Sequence, residues 1–325
     1  MKRSAPGAIA LVLLVLAGAC LHGNFLSPRV GLDLLSDNAV LGVAVLGTTC
    51  VLVAGGLDLS IGSLAALASV VLARLLGDAG VSPAVAIPIV LAMGALLGLL
   101  QGAVVVAFGL QPFLVTLAGM FLFRGVALSL AQESIPIRDP RWTGLATASL
   151  PLPGGHALRA GGVVFAAVFV LWALFGARSR FVARLHAVGG DERSALLLGV
   201  PVRTTKLAVH ALSGATAALA GVLFAAASSS GSSIACSGLE LDAIAAAVVG
   251  GVALGAGGGT FRGGGRGGAA GAFLGVLVFG VIADLILFQG TLSAGWTRVA
   301  MGGMLLLFLA LHRALAGVGS PAIGR

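Results

Sequence analysis

Four long stretches of this 325-residue chain contain no Lys, Arg, Asp or Glu: residues 4–28, 38–57, 79–123 and 207–239. About 20 apolar residues in helical form cross the hydrocarbon core of a bilayer. Each run is long enough for one crossing, and the 45 residues of 79–123 hold two. Gly109, Leu110, Gln111 and Pro112 form the natural break between those two, because Gly and Pro interrupt a helix. The runs are rich in Leu, Ala, Val and Gly and do not alternate with period two, which argues against membrane β-strands. Only 9% of residues are charged, against roughly 25% in soluble domains. The expected fold class is therefore all-α, a polytopic transmembrane helical bundle.

Ten spans are expected, over residues 6–23, 38–56, 60–76, 83–107, 112–130, 160–177, 208–227, 240–256, 268–288 and 297–315. Lys and Arg concentrate on the cytoplasmic side of such proteins. With the N-terminus inside, 12 basic residues fall inside and 6 outside, with Arg124 within a span, which favours N-in and C-in. Residues 1–325 read as a single membrane domain. An outer loop is expected over about 131–159 and a basic cytoplasmic segment over about 178–207. The net charge of +8 is thus explained by loops facing the cytoplasm rather than by nucleic acid. Lys2 and Arg3 ahead of an apolar stretch suggest a signal peptide, but with so many spans following, an uncleaved first helix is expected.

Small residues at i, i+4 spacing let helices approach closely in lipid. Gly94, Gly98 and Gly102 form one such stripe, and Gly267, Gly271 and Gly275 another. The cysteines Cys20, Cys50 and Cys236 show neither metal spacing nor a disulfide framework. The five histidines are dispersed and are expected at loops or helix ends. Residues 255–268 hold nine glycines with Arg262 and Arg266, but lack the Gly-Lys-Ser/Thr ending of a phosphate loop. No nucleotide-binding, metal or hydrolytic motif is present, so the chain reads as a non-enzyme without a cofactor.

A carboxylate between two apolar runs needs a reason. Asp58 follows Gly55 and Gly56 and precedes Ser60. It can cap the start of the third span, and it can line a polar path, because ionisable groups in a membrane usually face a cavity. Glu240 and Asp242 open the eighth span, as caps or as the mouth of a path. Gln111 and Thr116 are neutral candidates for the same lining, with Gln101 and Gln289. Arg124 either snorkels or pairs with a carboxylate, and Asp284 makes a polar contact between helices or relays protons. In the basic segment, Gly189 and Gly190 are expected to form a turn. Asp191 then caps a short helix over 192–198 that Gly199 ends before Pro201. Such a helix can be gripped by a partner or can lie on the bilayer surface.

Five motifs in order resemble one family. Residues 55–63 resemble the GGIDLSVGS stretch of ribose-type sugar permeases. Residues 111–117 with Arg124 and Gly125 resemble its PFIVTLG…RG helix. Residues 187–200 are similar to its AIGGNEEAARLSGI loop, Ser213 to Gly221 to its SG…AALAG helix, and Glu240 to Gly251 to its ELDAIAAVVIGG stretch. The chain thus resembles permease subunits of ribose- and galactofuranose-type ABC importers, in the branched-chain amino acid and sugar permease superfamily. It departs from that pattern at Val252 and in an expanded 255–268 connection. The resemblance implies import of a monosaccharide across the bacterial inner membrane. It implies an ATPase subunit docking on Gly189, Gly190, Asp191, Glu192, Leu198 and Gly199. A periplasmic sugar-binding protein and a second permease chain complete the expected partners. The other readings are an ion-driven secondary transporter and a permease for branched-chain amino acids.

Overall fold

The computed structural model describes residues 5–176, 179–252, 269–290 and 294–317. The glycine-rich 255–268 stretch, with Arg262 and Arg266, lies outside the described residues, as do Lys2, Arg3, Arg178 and Arg325. The chain opens with α1 (Ala5–Leu21), α2 (Pro28–Asp37), α3 (Ala39–Val53), α4 (Ile61–Gly77), α5 (Pro83–Phe108) and α6 (Pro112–Leu130). Then come β1 (Ile135–Pro136), α7 (Pro140–Ala146), the hairpin β2 (Ser149–Leu152) and β3 (His156–Arg159), and α8 (Ala160–Gly176). The rest is α9 (Arg180–Gly190), α10 (Glu192–Leu197), α11 (Val202–Ser228), β4 (Ser230–Gly231), α12 (Leu239–Val249), α13 (Ala269–Gln289) and α14 (Ala294–Gly317). The fold is an all-α, multi-pass membrane bundle. Among the described residues its strands form only the β2–β3 hairpin and an antiparallel β1–β4 pair, Ile135 opposite Gly231 and Pro136 opposite Ser230.

Among the described residues four helices are long and apolar enough to cross a membrane: Pro83–Phe108, Pro112–Leu130, Val202–Ser228 and Ala270–Gln289. A fifth span is possible if α2 and α3, bent by 56°, count as one. Helices α5 and α6 begin with Pro at their first turn, where its missing N–H is not needed. They turn Ile89, Leu96, Leu100, Leu114, Phe121 and Leu122 outward. Helix α3 is apolar all round and accordingly buried from Gly42 to Val53.

Helix α11 is the central post, packed against α3, α4 and α5. Its crossing with α5 is close because both sides lack side chains. A Cβ added to Gly98 would meet the His210 carbonyl, and one added to Gly214 would meet that of Gly94. Helices α12 and α13 meet in the same way, with Gly275 on the Ala246 carbonyl and Gly250 on Gly271. The i, i+4 glycines are therefore packing surfaces between helices, with Gly267 outside the described residues. His210 corrects the expectation for the histidines: it is buried within α11, its Nδ1 donating to the Lys206 carbonyl at 2.9 Å.

With 27 residues, α11 spans about 40 Å, so its ends define the two ends of the bundle. Helix α10 sits at the start of α11, and the β1–β4 pair at its far end. At that far end the 131–159 connection is ordered. Asp139 accepts from the Arg141 N–H at 2.7 Å to start α7. Trp142, fully buried, plugs a small apolar cluster with Leu72, Leu76, Val90, Ile137 and Val222. Arg159 of β3 bonds Asp37 of α2 at 2.7 Å.

Candidate translocation and coupling sites

The break between α3 and α4 carries a buried polar knot. Gly55 adopts φ +83° and lets the chain leave α3 in a tight turn. Asp58, 3% exposed, accepts hydrogen bonds at Oδ1 from the Ser60 N–H (2.8 Å) and the Ser60 hydroxyl (2.7 Å). Its Oδ2 accepts from the Ser213 hydroxyl of α11 at 2.7 Å. Three donors on one carboxylate offset much of the cost of removing it from water. The Ser60 hydroxyl also lies 3.2 Å from the Gln101 amide of α5. Its one proton goes to Asp58, so this contact is a hydrogen bond when the amide nitrogen, rather than the oxygen, faces Ser60. Thr116 of α6 fixes the backbone of the break, donating to the Leu57 carbonyl (3.1 Å) and accepting from the Leu59 N–H (3.2 Å).

This arrangement corrects the expected cap. The N-cap of α4 is Ser60, and Asp58 bonds the N–H of Ser60 itself, one step ahead of the helix. The knot joins Asp58, Ser60 and Thr116 with Gln101 and Ser213. Gln111 stays out of it, exposed at the N-cap of α6 with no capping bond. Ser213 enters the sequence only as part of the Ser213–Gly214 motif. Nothing local marks it as the partner of a carboxylate 155 residues away.

Glu240 and Asp242 occupy the first turn of α12. Glu240 reaches α4: a Cβ on Gly62 would meet its Oε2. Helix α12 stops at Val249, so the span expected over 240–256 is only an 11-residue helix before the undescribed stretch. The chain reaches it through a non-helical segment, 229–238, pinned by Arg124. That guanidinium donates to the Ser233 and Ala235 carbonyls at 2.6 and 2.8 Å. Arg124 thus satisfies itself on backbone oxygens rather than by snorkelling or by pairing with a carboxylate.

At the opposite end, Asp191 caps α10 by accepting from the Ser194 N–H at 2.6 Å. That hydrogen bond holds the Asp191 carboxyl below the usual carboxylate range. Gly199, at φ +77°, ends the helix before Pro201. Ala195 packs inward with Val188 and Val202, while Leu196, Leu197 and Leu198 are 66%, 88% and 82% exposed. Glu192 pairs within the chain, with Lys206 at 2.7 Å. Gly189 and Gly190 do not form the expected turn, since both lie in the last turn of α9. A Cβ on Gly189 would strike the Val53 carbonyl, whereas Gly190 faces open space. The end of α9 therefore rests on the end of α3, directly beside the break that holds Asp58. Among the described residues no group of three or more His, Cys, Asp or Glu could hold a metal ion.

A crossing bundle, a buried polar break and a capped helix with bare leucines agree with one family. Residues 31–309 match the family described as the branched-chain amino acid transport system / permease component. The chain belongs to this family. As a permease component it is a multi-pass inner-membrane protein. It is 40% identical over 318 residues to the inner membrane ABC transporter permease protein YjfF of Escherichia coli K12, covering 97% of this chain and 94% of that protein. It is 31% identical to the fructose import permease protein FruG of Bifidobacterium longum, covering 96% and 90%. It is 33% identical to the ribose import permease protein RbsC of Bacillus subtilis, covering 94% and 91%. No solved structure shows a significant match to this permease component.

Proposed function

We propose that the chain is the membrane-spanning subunit of an ATP-driven importer that carries a monosaccharide across the bacterial inner membrane. Relatives named for fructose and ribose import, similar over nine-tenths of their length, support the substrate class. In this reading the chain crosses ten times with both termini inside. An ATPase subunit docks from the cytoplasm, a periplasmic sugar-binding protein delivers from outside, and a second permease chain closes the path.

The observation that carries the proposal is α10. Three consecutive leucines exposed at the end of a capped six-residue helix need an apolar cover. An ATPase groove supplies it. Movement of α10 passes through α9 to the Gly189–Val53 contact, and from there to the α3–α4 break. Asp58, Ser60 and Thr116 brace that break beside the path. Gln111, Glu240 and Asp242 are the candidates that meet solute or its delivering protein.

The test is uptake of labelled ribose or fructose by vesicles holding the permease with its ATPase and binding protein. Uptake is expected to require ATP and the ATPase; transport that persists on an ion gradient without the ATPase overturns the proposal. Gly189→Val should leave ATP hydrolysis running while lowering uptake at least ten-fold. Gly190→Val, which meets no other part of this chain among the described residues, should leave the α9–α3 contact intact and lower uptake less than Gly189→Val.

A further inference from the structure

The segment between α11 and α12 is unusual for its depth. Two neighbouring helices measure it. Gly231 and Ser232 lie against Ser69 of α4, with the Ser232 N–H donating to the Ser69 hydroxyl at 3.2 Å. The Cys236 carbonyl and Glu240 lie against Gly62 of the same helix. Ser69 and Gly62 stand 8 and 15 residues from the far end of α4 at Gly77, so from Gly231 onward the segment descends from about 12 to about 22 Å below that end, while Ser229, next to the last residue of α11, stands at its mouth. Arg124, which grips Ser233 and Ala235, sits six residues from the end of α6, about 9 Å in. The hydrocarbon core is about 30 Å thick, so irregular backbone lies well inside it.

Irregular backbone at that depth cannot face lipid, because its polar groups would go unsatisfied; it is tolerated only when buried in protein or facing water. This segment is only partly buried in its own chain. Gly231, Ser233 and Ala235 are buried, but Ile234 is 71% exposed and Ser229 and Ser237 are exposed. Ser229 (φ +52°) and Cys236 (φ +54°) are the non-glycine residues with positive φ among those described, and both fall here. Such conformations persist where the surroundings impose them. The charges nearby point away from the segment's exposed face: Arg124 is engaged by two carbonyls, and Glu240 is turned toward α4, its Oε2 buried there without a hydrogen-bond partner among the described residues. The exposed polar side chains of the segment are hydroxyls, Ser229 and Ser237, on either side of the apolar Ile234. Ser237 donates to the Ile234 carbonyl at 2.7 Å and keeps its lone pairs free.

We infer that residues 229–238 form a wall of the water-filled path, and that the Ser229 and Ser237 hydroxyls face a neutral, polyhydroxylated solute. The solute class rests on the proposed function; the wetness of the wall does not. The test is cysteine accessibility. Cys20, Cys50 and Cys236 are replaced, and Ser237→Cys and Ser229→Cys are introduced one at a time into the full chain, assembled with its ATPase in nanodiscs. Leu171→Cys, exposed on the apolar α8, is the lipid-facing control. A charged methanethiosulfonate is expected to modify both serine positions at least ten-fold faster than Leu171→Cys. Modification should also block ribose or fructose uptake. Labelling of Ser237→Cys at the control rate overturns the inference even in a complex that transports normally, because Ser229 lies at the mouth and Ser237 within. Fast labelling with undiminished uptake also overturns it, since the segment then stands out of the solute's way. Fast labelling in a wild-type complex that never moves a carbohydrate instead defeats the proposed function and leaves the wet wall standing.

Discussion

The break before α4 and the segment before α12 are both departures from helix inside the bundle, and they are satisfied in opposite ways. At the first, Ser60 and Ser213 of α11 bond Asp58, Thr116 of α6 holds the Leu57–Leu59 backbone, Gln101 of α5 lies against Ser60, and Asp58, Ser60 and Thr116 are buried. At the second, one arginine holds two carbonyls and several side chains stay uncovered. A closed polar network resists rearrangement, because leaving any member unpaired costs its full desolvation. An open segment, tied by the β1–β4 pair and Ser69 at its start and by Arg124 at its middle but uncovered at its side chains, can change its partners. The first therefore acts as a fixed joint and the second as a surface that meets the solute.

The largest effect should come from breaking the closed joint. Asp58→Ala strands the Ser60 N–H and two hydroxyls, and is expected to cost about 2–4 kcal/mol. The purified protein should melt several degrees lower and uptake should be lost. Asp58→Asn keeps an acceptor for Ser60, and the Ser213 hydroxyl can rotate to accept from its amide. It should melt near wild type while still impairing uptake more than Asp284→Asn. If Asp58→Ala melts like wild type, the knot is not a joint.

The open segment should answer differently. Arg124→Met removes both bonds to the Ser233 and Ala235 carbonyls while keeping the stem of the side chain. Because the β1–β4 pair and the Ser232–Ser69 bond still hold the start of the segment, the melting temperature should fall by less than in Asp58→Ala, yet uptake should drop at least ten-fold. A large loss of stability with normal uptake in the surviving protein would reverse the assignment of the two sites.

The contrast also explains which features were legible in the sequence. The spans expected at 83–107 and 112–130 match α5 and α6 to within a residue, because Pro at the first turn and Gly109 after the last are local signals. The capped helix after Asp191 is local too, and α10 ends one residue before the expected Leu198. Helix α2 was not foreseen, since its mixed charges resemble a loop until Arg159 is brought onto Asp33 and Asp37. The early stop of α12 was hidden inside a continuous apolar run, where periodicity carries no information. Ser213 reaches Asp58 from α11, Gln101 and Thr116 reach Ser60 and the Leu57–Leu59 backbone from α5 and α6, and no spacing rule links residues 58, 101, 116 and 213. Long-range satisfaction of a buried charge is a property of packing, and packing is what a single sequence does not print.

The smallest effect separates two aspartates with the same chemistry, each preceding a helix. Asp58 is buried and bonded by three donors, while Asp191 is exposed and accepts from Ser194. The Asp191 carboxyl is held below its ordinary value by that bond to the Ser194 N–H. A group depressed in the folded state stabilises the fold above its unfolded pKa of about 3.9, and that contribution is lost as pH falls through the lower folded value. Protection of the Ser194 amide against hydrogen exchange, corrected for the intrinsic rate, should therefore be constant from pH 8 to about pH 5 and fall only in stronger acid. Asp191→Ala should lose that protection at every pH, by a few-fold, because an alanine accepts nothing. Asp191→Asn should keep it at every pH, including the acid range where wild type fails. If the Asn variant instead loses the helix at neutral pH, the charge of Asp191 rather than its hydrogen bond holds α10 in place for its partner.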